Sequence, residues 1–282
     1  MKKYMMLLIL LSILFLSSCD TQFLNNEYEG GDWFYLENAG AVMPVWVRGN
    51  TSSDVFVIFL HGGPGGSSLD LAISSAYKNL HKEYAFVYFD QRGSGASQGN
   101  AKPESLTVDQ FVEDLQKLVH LIRYKYNNPA LFLMGHSWGG SLGTAYLLET
   151  RSQQYISGWI EINGGHNLVD GIKHSWEWVK TRADEKINDD IDVSYWQNEI
   201  NWYNNTAPIF GMPSPLERHV KNLQKLNGYF HNSSNEPDIV LFSSPLVPFG
   251  LLIGSSIVVR ELNLETFNLS PEMNKITTPS LI

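Results

Sequence analysis

Ser137 stands in Gly135-His136-Ser137-Trp138-Gly139, a G-x-S-x-G run that follows the apolar stretch Ala130 to Met134 and precedes a helix-like stretch, Ser141 to Thr150. A serine hydroxyl can attack an ester or amide carbonyl when a sharp strand-to-helix turn holds it out at the end of a sheet. Glycines two before and two after the serine permit that turn, because side chains there would strike neighbouring backbone. A second run, His61-Gly62-Gly63-Pro64-Gly65-Gly66, ends the β-branched and aromatic stretch Val55 to Leu60. Attack on a carbonyl builds negative charge on its oxygen, and a loop without side chains lets backbone N–H groups reach that charge. The N–H of Gly63 and that of Trp138, the residue after the serine, are the expected donors. A third run, Asp90-Gln91-Arg92-Gly93-Ser94-Gly95, closes Ala85 to Phe89. Asp90 and Arg92 are expected to pair and fix the loop without touching substrate. A polar cluster at a strand's carboxyl end marks the functional edge of an open α/β sheet.

Positioning these three loops requires strands that enter them side by side. Asp32 to Leu36 and Ala41 to Val47 read as two strands joined around Asn38-Ala39-Gly40, a hairpin. Ser68 to Lys82 is expected to be a helix and Ala85 to Asp90 a strand. The strongest helical pattern runs from Val108 to Tyr126, with Val108, Phe111, Val112, Leu115, Leu118, Val119 and Ile122 on one face. Thr107 and Gln110 form a capping box at its start, and Asn127-Asn128-Pro129 stops it. Strands Ala130 to Met134 and Ile156 to Ile162 complete a repeated βα pattern, which implies a mostly parallel sheet flanked by helices, an α/β fold. From His166 to about Leu264 that rhythm is lost, and Trp176, Trp178, Trp196 and Trp202 are half of the chain's eight tryptophans. Most of them are expected to pack a small core of their own.

HGGPGG, DQRGSGAS and GHSWGG, in this order, resemble the proline iminopeptidase (prolyl aminopeptidase) family of α/β-hydrolase-fold serine peptidases, from about Asp54 to Gly165. The resemblance implies an α/β-hydrolase core over 32–165, a helical cap over 166–264 and a return to the core over 265–282. It implies a serine mechanism that removes N-terminal residues from peptides, with relatives that cleave other amides and esters. In that family cap carboxylates bind the substrate's free amine; Glu177, Glu185 and Glu199 are the candidates, Glu177 and Glu199 first. The W-x-x-W-E pattern of prolyl-specific members is absent, Trp196-Gln197-Asn198-Glu199 being the nearest approach.

The family's triad follows the chain order Ser, Asp or Glu, His, the last two after the final strands. Glu272 to Ile282 reads as the approach to the penultimate strand, with the chain stopping inside it. No histidine follows His231. Neither triad acid nor triad histidine is therefore expected in this sequence, which reads as cut short, with the last strand or strands and helix missing. Asp170 is an alternative acid. His61 belongs to the glycine loop, His136 is expected to point away from Ser137, and His81 and His120 are expected to be surface or packing residues.

With 282 residues, 43% hydrophobic and 17% charged, the chain can bury the core of one catalytic domain plus an insertion. A net charge of −9 argues against nucleic acid as a partner. Lys2-Lys3 followed by Tyr4 to Leu16 reads as a signal peptide, ending in Leu16-Ser17-Ser18-Cys19, which resembles the bacterial lipobox. That resemblance implies removal of 1–18 and acylation of Cys19, the only cysteine, and so a membrane-anchored lipoprotein of the bacterial cell envelope, with 19–31 as tether. No metal or organic cofactor is expected. Three functions stay open at this point: an aminopeptidase with a Ser137 acyl-enzyme, an esterase or amidase on the same scaffold, and a catalytically inactive lipoprotein that binds a ligand or partner.

Overall fold

Unbroken apolar runs set the centre of the sheet, since successive side chains of a strand face opposite sides and both faces of Val55–Leu60 and Ala85–Phe89 are buried. A computed structural model describes residues 31–72, 77–149, 151–206, 213–226, 262 and 266–282. The leader and Cys19 lie outside the described residues. The strands are β1 (Asp32–Asn38), β2 (Ala41–Gly49), β3 (Val55–Leu60), β4 (Ala85–Phe89), β5 (Gln98–Gly99), β6 (Ala130–His136), β7 (Gly158–Ile162) and β8 (Ser280–Leu281). They form one sheet in the order β1-β2-β4-β3-β6-β7-β8, with β5 beside β2. β1, β2 and β4 pair antiparallel, as does β5 with β2, and every pair from β4 through β3, β6 and β7 to β8 is parallel. The hairpin turn is carried by Ala39 and Gly40, both at positive φ (42° and 81°).

The helices are α1 (Leu69–Ala72), α2 (Lys78–Glu83), α3 (Val108–Lys125), α4 (Trp138–Leu148), α5 (Leu168–Asn188), α6 (Val193–Asn205) and α7 (Pro213–Lys225). The single helix expected over Ser68 to Lys82 is described as α1 and α2, residues 73–76 lying outside the described set. α3 buries Phe111, Val112, Leu115, Leu118, Val119 and Ile122, the face that the 3, 4 spacing marks. Each such side chain contributes roughly 1.5–3 kcal/mol when fully buried. Half of the capping box forms: Thr107 Oγ1 accepts from Gln110 N–H at 3.2 Å. The Gln110 side chain does not return to Thr107 but donates to Glu113 at 2.9 Å, one turn on. Asn127 and Asn128, at φ 57° and 59°, end the helix. Polar asparagine tolerates that left-handed conformation better than most residues.

The two sheet faces bury separate clusters. Phe56, Ile58 and Leu60 of β3 join α3 and α4 on one side, while Val57 and Phe59 pack with Trp46, Phe86 and Tyr88 on the other. Beyond β7, α5 to α7 bury Trp176, Val179 and Tyr203, with Trp202 packed against them. The tryptophans of this region thus serve mainly its own core, as expected, and Trp178 is the exposed one. The chain then returns: Leu269 N–H donates to His166 O at 2.7 Å, and Trp159 N–H to Pro279 O at 2.9 Å. Gln153 Oε1 accepts the N–H groups of Thr277 and Thr278 at 2.7 and 3.1 Å, which seats β8 against β7.

Candidate active site

Parallel pairing of β3 and β6, with Leu60 opposite Gly135, brings the loops that follow them to the same carboxyl edge. At the end of β6 the chain reverses through Ser137, whose φ of 55° and ψ of −120° are glycine-like values. Helix α4 starts at the next residue, three earlier than the sequence pattern indicates. The turn is possible only because its flanks lack side chains. A Cβ on Gly135 would lie 2.4 Å from Gly139 O, and one on Gly139 would lie 2.0 Å from Leu60 O. Ser137 N–H donates to Ile162 O at 2.9 Å, tying the elbow to β7.

The glycine loop lies directly against the serine: a Cβ on Gly62 would sit 3.1 Å from Ser137 Cβ. Gly63 has φ 124°, a conformation that suits glycine. Among the described residues, the N–H groups of Gly63 and Trp138 donate to no protein acceptor. Two free backbone donors beside a strained serine fit stabilisation of an oxyanion.

The expected pairing of Asp90 with Arg92 is not found. Asp90 accepts from Ser68 N–H and Ala96 N–H, both at 2.7 Å, and from the Ser67 hydroxyl at 3.0 Å, so its carboxylate is filled by its own loop and the neighbouring one. Arg92, fully buried, forks onto Asp114 of α3 through Nε and Nη2 at 2.6 and 2.7 Å. Asn38 Nδ2 also donates to Asp114 at 2.7 Å. Burial pushes the Asp114 carboxyl up, against the pull of the Arg92 guanidinium and the Asn38 amide. The loop is fixed without reaching the serine, as expected, but by a different partner.

Between these two sits Gln91, which the sequence did not single out. Its N–H donates to His61 Nε2 and its side-chain Nε2 to His61 O, both at 3.0 Å, while its Oε1 accepts from Trp138 Nε1 at 2.9 Å. Because His61 Nε2 accepts, the ring proton is on Nδ1, which donates to Gly62 O at 2.8 Å. Burial pushes His61 below its ordinary pKa, with the Asp90 charge and the Gly62 carbonyl opposing. A buried neutral imidazole with both nitrogens engaged holds the loop and is not free to act as a base for Ser137.

The other polar residues fall away from the elbow. Glu161 of β7 is buried and pairs with His166 Nε2 at 2.9 Å, and the Thr144 hydroxyl of α4 donates to it at 3.3 Å. A carboxylate in an apolar strand, with a histidine five residues on, was the signal available for this pair. His136 is exposed beside Gly62. His81 is buried and bonded to Tyr88 OH at 2.9 Å, and His120 is exposed. Among the described residues, no side chain hydrogen-bonds Ser137 Oγ. Asp170 is exposed at the start of α5, where Asn167 caps it at 3.2 Å.

Of the amine-binding candidates, Glu177 is exposed with Lys180 at 3.2 Å, and Glu185 is exposed with Arg182 at 2.6 Å. Glu199 is buried and accepts a forked Arg218 at 2.8 and 2.9 Å and Asn222 Nδ2 at 2.7 Å. Burial pushes its carboxyl up, but the bonds from Arg218 and Asn222 outweigh this and leave it below its ordinary value. Its oxygens are therefore already taken. Among the described residues, no three His, Cys, Asp or Glu side chains converge as metal ligands do.

Residues 55–237 match the sequence profile of a family described as alpha/beta hydrolase fold. The chain is 38% identical over 238 residues to a proline iminopeptidase of Heyndrickxia coagulans, covering 80% of this chain and 72% of the relative. It is 26% identical over 241 residues to a proline iminopeptidase of Saccharolobus solfataricus, covering 80% and 67%. The crystal structure of a Mycobacterium smegmatis proline iminopeptidase superposes with a TM-score of 0.50 at 15% identity, covering 88% of this chain and 80% of that one, a likeness of fold alone.

Proposed function

Since the chain belongs to the α/β hydrolase family, we propose that Ser137 is the nucleophile of a serine hydrolase that releases N-terminal residues from peptides, the activity for which its proline iminopeptidase relatives are named. The observation that carries the reading is the backbone of Ser137, held at φ 55°, ψ −120° beside two N–H groups that have no protein acceptor among the described residues. Strain of this kind persists only where surrounding structure enforces it. In the proposed reaction Ser137 Oγ bonds to the substrate carbonyl carbon as its proton passes to a base. The oxyanion accepts from Gly63 N–H and Trp138 N–H, the C–N bond breaks, and the amine leaves with a proton. Water then hydrolyses the acyl-enzyme. The reading requires an acid and a histidine, which the family resemblance places later in chain order than Ser137.

The helices α5 to α7 are proposed to form the cap. Within it a substrate amine would have to displace Arg218 to reach Glu199, whereas among the described residues the exposed Glu177 carboxylate is held only by Lys180, so the amine subsite falls to Glu177. Acylation of Cys19 is proposed to hold the enzyme at a membrane of the bacterial cell envelope, with Cys19→Ser expected to move it to the soluble fraction.

The test is labelling by a fluorophosphonate, followed by cleavage of three arylated substrates. Labelling at Ser137 that disappears in Ser137→Ala, with a free-amine aminoacyl arylamide cleaved in preference to its N-blocked form and to a simple aryl ester, supports the reading. Equal use of the blocked substrate would point to a general amidase or esterase. An unlabelled Ser137 would overturn the serine mechanism.

A further inference from the structure

The three loops at the carboxyl edge are joined by one side chain, and its bonds reach both halves of the oxyanion site. Gln91 is fully buried, and each polar atom of its side chain has a protein partner. One partner, His61 O, lies two residues before Gly63; the other, Trp138 Nε1, belongs to the residue whose own N–H is the second donor. The Gln91 backbone adds a third tie, to His61 Nε2. Nothing else among the described residues hydrogen-bonds both the His61 to Gly66 loop and the Trp138 indole.

We infer that Gln91 is a positioning residue that sets the spacing between the Gly63 and Trp138 backbone donors; the inference rests on the Ser137 reading above. A glutamine suits this place because an amide donates from one end and accepts at the other. Glutamate offers two acceptors when ionised, so one oxygen would face the His61 carbonyl, acceptor against acceptor. When protonated it again donates at one end and accepts at the other. Burial raises the pKa of such an introduced carboxyl, which keeps the protonated form accessible near neutral pH. Oxyanion donors act only where the charge develops, so a shift of their spacing lowers the rate of the bond-making step more than ground-state binding.

The experiment measures the rate of fluorophosphonate labelling of Ser137 against pH in the wild-type protein and in its Gln91→Met and Gln91→Glu variants. In this reaction the Ser137 O–P bond forms, the P–F bond breaks with loss of fluoride, and the serine proton passes to the base. The phosphoryl oxygen occupies the oxyanion position. Gln91→Met is expected to lower the maximal labelling rate about 10- to 100-fold, less than loss of a donor outright, with the apparent affinity for the probe little changed. Gln91→Glu is expected to approach the wild-type rate at low pH and to fall away as the introduced carboxyl ionises, a high-pH limb absent from the wild type. Should Gln91→Met fail to fold, the Gln91→Glu profile alone decides. A wild-type protein that labels well, with a Gln91→Glu profile of wild-type shape, overturns the inference and leaves the serine mechanism standing. A wild-type protein that does not label at Ser137 overturns both.

Discussion

Replacing Ser137 with glycine should make the protein more stable while destroying its proposed nucleophile. The residue sits at φ 55°, ψ −120°, a region that glycine enters freely and other residues enter at a cost of about 1–3 kcal/mol. Glycine also loosens the unfolded chain, which costs about 0.4–1 kcal/mol. The net expectation for Ser137→Gly is a gain of about 1 kcal/mol, equivalent to a rise of about 2–4 °C in Tm for a domain of roughly this size. Little else is lost, because no side chain among the described residues hydrogen-bonds the Ser137 hydroxyl.

The control is Ser137→Ala, which removes the same hydroxyl but keeps a Cβ and hence the strain. The comparison of the two variants by urea unfolding therefore isolates the backbone term, since both lack the nucleophile. Equal stability of Ser137→Gly and Ser137→Ala, or a less stable glycine variant, would refute the claim that the elbow stores strain at this residue. It would also remove the main structural support for Ser137 as a residue held for chemistry.

Asp114→Ala should destabilise the protein by about 3–5 kcal/mol in the same unfolding assay, because it strands the buried Arg92 guanidinium; a loss under 1 kcal/mol would mean that Arg92 finds another partner. Glu199→Gln should lower the unfolding midpoint while leaving KM for a free-amine arylamide unchanged, and Glu177→Gln should raise that KM with the midpoint unchanged; the reverse assignment would exchange their roles. His219, buried on α7 between Ser175 Oγ at 2.8 Å and Tyr203 OH at 2.9 Å, is pushed by burial below its ordinary pKa of about 6.5. A group with a depressed folded pKa contributes stability above its unfolded pKa and loses it as pH falls toward the folded value. The wild-type midpoint should therefore decline from about pH 7 downward more steeply than that of His219→Gln, and parallel profiles would exclude His219 as the source.

The parts of this site that were legible in the sequence are those fixed by local sterics. Gly135 has to be glycine because the turn itself brings Gly139 O within 2.4 Å of where its Cβ would be, so that half of the pentapeptide announces its own geometry, whereas Gly139 is required by Leu60 O of the neighbouring strand β3. Strand β3 and helix α3 were legible for a like reason, since an unbroken β-branched and aromatic run and a spacing of three or four are both local signals. What was misread, or missed, is long-range polar pairing. Arg92 finds Asp114 across 22 residues, and Glu199 finds Arg218 across 19.

Those pairings nevertheless left a trace. Asp114 lies three residues after Phe111, inside the apolar face of α3; Glu161 stands two residues after the buried Trp159, on the same face of β7; Glu199 lies between Trp196 and Tyr203 on one face of α6. Periodicity puts each of these carboxylates in the interior, and a buried carboxylate requires a partner with hydrogen to donate. Each has one, in Arg92, His166 and Arg218 respectively. An acid on an apolar face therefore announces that a donor reaches it, while the donor's identity depends on which elements the fold packs together. Gln91 is harder to see, because a glutamine in a glycine-rich loop looks like surface; only the parallel registry of β3 and β6 carries His61 and Trp138 to its two ends.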